Sequence, residues 1–167
     1  KKSGLSEEVF EKADEKAGNS LLYSMVMGNY TFGSRITGIN DMPINDKLFI
    51  LQSDIIKSAA DKGPCVIIGR CGDYILRDNV FRVFIHANKE ARIKRILSKG
   101  LCDEKKVSDF ITKRDKQRAN YYNFYSNKRW DDLSNYHLTI DSSEFDIDEV
   151  AEIIITAIGK IKPPAKK

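Results

Sequence analysis

Five arginines carry the chemistry that this sequence suggests. Arg70 closes a small apolar run, Cys65 to Ile68, within GPCVIIGR. Arg92 and Arg95, with Lys99, fall in one narrow arc at about 100° per residue, apart from Ile93, Ile96 and Leu97. Arg114 and Arg118 are four residues apart, with Tyr121 and Tyr125 on nearly the same stripe. Guanidinium forks match phosphate oxygens in pairs and keep their charge. If the five converge at strand ends, they suggest a site for a polyanion, most simply the phosphates of a nucleotide. In phosphoryl transfer the protein mainly positions groups and stabilises charge, which such arginines supply. A plainer reading stands beside each. Arg92 and Arg95 suit a solvated helix face, and Arg114 could pair with Asp109 or Asp115. Tyr121, Tyr122, Phe124, Tyr125 and Trp130 suit packing better than base stacking.

The elements that must hold these residues alternate. Ser6 precedes a short helix, EEVFEKADEK, with an acidic first turn. From Gly18 to Pro43 the chain is rich in Gly, Asn and Asp and reads as a long loop or insertion. Asp46 is placed to cap a helix, KLFILQSDIIKSAADKG, in which Leu48, Leu51, Ile55 and Ile56 have helical spacing and Gly63 marks the stop. Cys65 to Ile68 then reads as a buried strand. FRVFIHA and YHLTID read as two more. Asn88 caps KEARIKRILSKG, a long helix runs from about Glu104 to Tyr125, and DIDEVAEIIITAIGKI closes the chain with Ile153, Ile154, Ala157 and Ile158 for the core. Short apolar strands alternating with helices predict an α/β fold with a parallel sheet. Such sheets bind ligands just outside the carboxyl ends of their strands, where Arg70 and His86 fall.

Bulk properties bound the function. The 167 residues suit one domain, 41% of them hydrophobic and 31% charged. Charge is uneven: residues 89–129 hold thirteen Lys and Arg against five Asp and Glu, a net of +8, while the whole chain is only +4. The three cysteines, Cys65, Cys71 and Cys102, suggest neither a disulfide framework nor a zinc site and fit a reducing cytoplasm. No apolar run has the length of a membrane span, and no signal peptide is evident. No G-x-x-x-x-G-K-[ST] loop occurs in the sequence.

Several motifs in order carry a resemblance: a glutamine helix, GPCVIIGR, FRVFIHANKEARIKRI, ITKRDKQRANYY and NYHLTIDSSEFDIDEVAEII, with NDKLF at Asn45 to Phe49 and WDDLSNY at Trp130 to Tyr136. The chain resembles the cytidylate kinase-like family of P-loop nucleoside monophosphate kinases over nearly its whole length. The resemblance implies a parallel sheet flanked by helices. It places the first strand and its phosphate-binding loop before Lys1, so the given chain is expected to lack them. It implies one kinase-like domain over residues 1–167, with an acceptor-binding insertion at 19–46 and a lid at 99–113. It implies ATP and Mg2+ as cofactors and transfer of a phosphoryl group to a nucleoside monophosphate, CMP or dCMP.

By motif, Arg92, Arg95 and Arg114 resemble the arginines that neutralise the transferring phosphates. Arg70 resembles the acceptor-phosphate contact. Asp73, Arg118, Arg35 and Asp41 are the other substrate-binding candidates. The magnesium ligands are unknown. Cys71 stands where cytidylate kinases carry Asp after Gly-Arg, and Arg118 where they often carry Asp. A P-loop-fold kinase of another small molecule is therefore one alternative. The basic, aromatic 89–129 segment leaves a non-catalytic nucleotide- or nucleic-acid-binding module as the other. The expected partners are nucleotides, with no membrane and no nucleic acid. Oligomeric state is not legible.

Overall fold

The computed structural model describes residues 44–78 and 80–161. The chain divides into two compact units. Among the described residues, the first contains 44–78 and Lys116–Trp130; the second contains Val80–Asp115 and 131–161.

In the first unit, helix α1 (Ile44–Asp61) buries Asn45, Leu48, Gln52, Ser53 and Ile56. These positions repeat every three or four residues, which is one face of an α-helix. The buried stripe is rotated from the apolar one expected. Gln52 and Ser53 lie inside, and Ile55 is 51% exposed. Asp46 was expected to cap the helix. It lies instead within the first turn and is 1% exposed. Gly63, at φ 139°, takes the chain out of the helix.

The expected strand at Cys65 to Ile68 is not a strand. The segment is irregular, and Val66 and Ile68 are 91% and 89% exposed. An apolar β-branched run becomes a strand only where another strand completes its hydrogen bonds and covers its faces, and no described residue pairs with it as a strand. Arg70 thus follows an exposed segment, not a buried strand. Gly69, Arg70 and Cys71 then adopt successive positive φ angles of 68°, 55° and 55°. This left-handed turn is closed by the Gly72 N–H donating to the Gly69 carbonyl at 3.0 Å. Helix α2 (Gly72–Leu76) starts there. A Cβ on Gly72 would stand 2.7 Å from Ile67 Cγ2, so a larger residue there would have to push the Ile67 side chain aside. Cys71 joins Tyr121, Tyr122 and Tyr125 in the core, with Phe49, Tyr74, Ile75, Phe124 and Trp130 around it. Phe49 stacks on Tyr125 with centroids 4.0 Å apart, so these aromatics are indeed packing groups.

The tyrosines come from helix α4 (Val107–Ser126), within which the two units divide between Asp115 and Lys116. In the second unit, strands β1 (Val83–His86) and β2 (Leu138–Asp141) pair in parallel, with Val83 opposite Leu138 and His86 opposite Asp141. They are the only strands among the described residues. Helix α3 (Lys89–Ser98) starts as expected at Asn88, whose side chain accepts from the Ala91 N–H at 2.8 Å. A 3-10 turn at Glu104–Lys106 leads into α4, where Val107 and Ile111 are buried. Helix α5 (Ile147–Lys160) opens with a reciprocal cap between Asp146 and Glu149, both bonds 2.9 Å. It buries Val150; Ile153, Ile154 and Ala157 are half-buried, while Ile158, expected in the core, is 50% exposed.

Candidate functional site

Arg70 and Arg118 belong to the first unit, and Arg92, Arg95 and Arg114 to the second. The five arginines are therefore two groups, each with its own surroundings.

In the first unit, Arg70 rides on the left-handed turn and is half-buried, with its Nη1 shielded from solvent. A non-glycine residue at φ 55° lies in the left-handed region and carries backbone strain. Asp73, in the first turn of α2, accepts the Tyr122 hydroxyl at 2.7 Å. Two parallel contacts join α4 to α1: the Tyr121 hydroxyl donates to Gln52 Oε1 at 3.0 Å and the Tyr125 hydroxyl to Asp46 Oδ1 at 3.2 Å. Burial first, then the Asp46 carboxylate, raises the Tyr125 phenol far above its ordinary value, so it stays a neutral donor. Burial first, then Asp73, pushes the Cys71 thiol up to about 12, with Arg70 acting in the opposite direction. Cys71 is thus an inert core group and supplies no nucleophile. Arg118 lies exposed on α4.

In the second unit, Arg92 meets Asp115 through both ends of its fork. Nη1 donates to Oδ2 and Nη2 to Oδ1, each at 2.7 Å. Arg95 binds Ser142, just past the carboxyl end of β2. Its Nη1 donates to the Ser142 hydroxyl at 3.0 Å and its Nη2 to the Ser142 carbonyl. Ser142 is buried and bridges the strand ends. Its N–H and its hydroxyl both donate to the His86 carbonyl, at 2.8 Å and 2.9 Å. The Asn88 N–H donates to the Ser143 hydroxyl at 2.7 Å, tying the cap of α3 to the same loop. The Asp141 carboxyl is held below its ordinary value, chiefly because the Ser143 hydroxyl and N–H donate to it, with His86 and Arg95 adding attraction. Arg95 therefore sits where an open parallel sheet binds ligands. Arg114 is exposed, with its guanidinium 5.5 Å above the Phe110 ring rather than against a carboxylate of its own helix.

Arg35 and Asp41 lie outside the described residues. Asp46, Gln52, Asp115 and Ser142 were not singled out from sequence as site residues. All four do lie in motifs that carried the resemblance, NDKLF, the glutamine helix, ITKRD and LTIDSS, and that was the available signal. No group of three or more His, Cys, Asp or Glu that could hold a metal occurs among the described residues, and no magnesium ligand is assigned among them. None of the described helices is long and apolar enough to cross a membrane.

Comparison with known proteins places this geometry in a family. The model of the cytidylate kinase-like family matches residues 1–144. A cytidylate kinase of Methanoculleus marisnigri is 25% identical over 72% of the chain, and one of Methanocaldococcus jannaschii 29% over 62%. One of Methanosarcina barkeri is 34% identical over 52%. The matches span 65%, 60% and 48% of those proteins' lengths, less than two thirds of each. A crystal structure of an uncharacterized protein from Eubacterium ventriosum superposes with a TM-score of 0.65 at 32% identity, covering 71% of this chain and 76% of that one. The chain belongs to the cytidylate kinase-like family.

Proposed function

We propose that the protein transfers the γ-phosphoryl group of ATP to a nucleoside monophosphate, with CMP or dCMP as acceptor. The observation that carries this reading is Arg95, bound beside Ser142 at the carboxyl end of a parallel strand in a chain of this family. In the proposal, Arg92, Arg95 and Arg114 neutralise the charge that develops as the phosphoryl group moves between oxygens. Arg70 holds the acceptor phosphate, and Asp73 and Arg118 border the acceptor. Residues 99–113 act as the lid. Magnesium would screen the triphosphate, but no step is assigned to it because the described residues offer no ligand set.

The test is ADP formation by the full-length protein with Mg-ATP against a panel of nucleoside monophosphates. CMP or dCMP is expected to give the highest kcat/KM, and no ADP with any acceptor would refute the proposal. Cys71 and Arg118 specifically favour a second reading, a small-molecule acceptor other than CMP. A thermal-shift screen separates the two, since a bound acceptor raises Tm by mass action.

A further inference from the structure

Arg92 approaches Asp115 end-on. One N–H from each terminal nitrogen meets one carboxylate oxygen, both at 2.7 Å. A guanidinium has five N–H groups. The end-on fork uses two and leaves Nε–H and the outer N–H of each terminal nitrogen. Nε–H and the neighbouring outer N–H form a second edge, spaced to meet two oxygens of a phosphate. Arg92 can therefore hold Asp115 on one edge and an oxyanion on the other at the same time.

The partners come from different helices, α3 and α4, 23 residues apart in sequence. Their side chains are 30% and 29% exposed. A pair so accessible to water contributes little to stability. What the fork does supply is orientation: a long, rotamer-rich side chain is fixed in one plane before any ligand arrives.

We infer that Asp115 is the positioning residue of Arg92, holding its guanidinium end-on so that the second edge faces the oxygens of a phosphate. This rests on the phosphoryl-transfer reading for its kinetic consequence but not for its spectroscopic one. Removing the carboxylate leaves the cation in place and unaimed. Binding of the triphosphate should then survive while turnover falls.

The test uses the full-length protein and the variants Asp115→Asn, Asp115→Ala, Asp115→Glu, Arg92→Ala and Arg92→Lys. Asp115→Asn and Asp115→Ala are expected to lower kcat roughly 10- to 100-fold, with KM for ATP unchanged or lower and Tm little altered. Asp115→Glu should recover part of the loss. Asp115→Ala combined with Arg92→Ala should be no slower than Arg92→Ala alone, because the two residues act as one unit. A drop in Tm with kcat intact would overturn the inference in favour of a plain structural tie, as would independent, multiplying effects in the double variant.

A second measurement stands apart from turnover. In 15N-labelled protein the Arg92 Nε–H signal, assigned by its disappearance in Arg92→Lys, should shift saturably with ATP. It should not do so in Asp115→Asn. No shift in the parent protein, or an equal shift in Asp115→Asn, overturns the inference. Absence of phosphoryl transfer with the shift intact would count against the kinase reading alone.

Discussion

The two units solve the same problem in opposite ways. Each must fix polar groups that a ligand could use. In the first, carboxylate and amide groups on α1 and α2 are answered by the uncharged hydroxyls of Tyr121, Tyr122 and Tyr125, mostly away from water. In the second, a carboxylate and a serine loop are answered by arginines at partial exposure. Neutral donors in a dry core respond weakly to salt and pH, whereas half-exposed charges are screened. The first arrangement therefore builds a fixed frame, and the second keeps charges able to meet an anion.

The sharpest way to break this contrast is to remove the frame. Tyr125→Ala empties a ring that stacks on Phe49 and deprives Asp46 of a donor, and should cost about 3–5 kcal/mol. Tyr125→Phe removes the hydroxyl alone and should cost about 1–2 kcal/mol. Urea unfolding measures both, and equal losses would mean that the hydroxyl, not the ring, dominates. Next comes Arg95→Ala. It should lower kcat about 100-fold or more, by analogy with loss of one preorganised donor, and a rate within twofold of the parent would leave Arg95 as a brace for the β2 loop only.

Thiol labelling gives a smaller but cleaner contrast. At pH 8, Cys65 is exposed and should react with Ellman's reagent in the folded protein. Cys71, with its pKa pushed to about 12, should react only on unfolding. Comparable rates for the two would show that the first unit opens readily.

The smallest effect concerns His137. Its Nδ1 accepts the Arg82 N–H at 3.1 Å, and burial, then the Arg82 charge, lowers its pKa from 6.5. A His depressed in the folded state binds protons more readily when unfolded. Its stabilising contribution is therefore complete above about pH 6.5 and is lost as pH falls through the folded value. NMR titration should place His137 below 6.5, and a value above it would reverse the sign of that dependence.

Much of this was legible in the sequence, and the parts that were not share a cause. The helices α3 and α5 announced themselves by local signals, Asn88 before one and the apolar spacing of Ile153, Ile154 and Ala157 within the other. The apolar runs at β1 and β2 were read as strands and are strands. Cys65 to Ile68 had the same composition, yet pairing is not local, and its strand character could not be settled from its own residues. The arginines were legible as cations, but Asp115 and Ser142 lie 23 and 47 residues from Arg92 and Arg95. Asp46 looked like a cap because Asn-Asp before an apolar run usually is one; only the fold reveals that Tyr125, 79 residues later, claims it.

The parallel pairing of β1 and β2 also has a consequence in time. Its rungs join residues fifty-five positions apart, so a large loop must close before the first rung forms. Contacts of such separation are slow to make. On a ribosome, β1 emerges long before β2 exists, and its apolar edge must wait through the synthesis of α3 and α4. The second unit should thus be assembled last-strand-first in causal terms, with the arrival of Leu138 to Asp141 as the event that commits it.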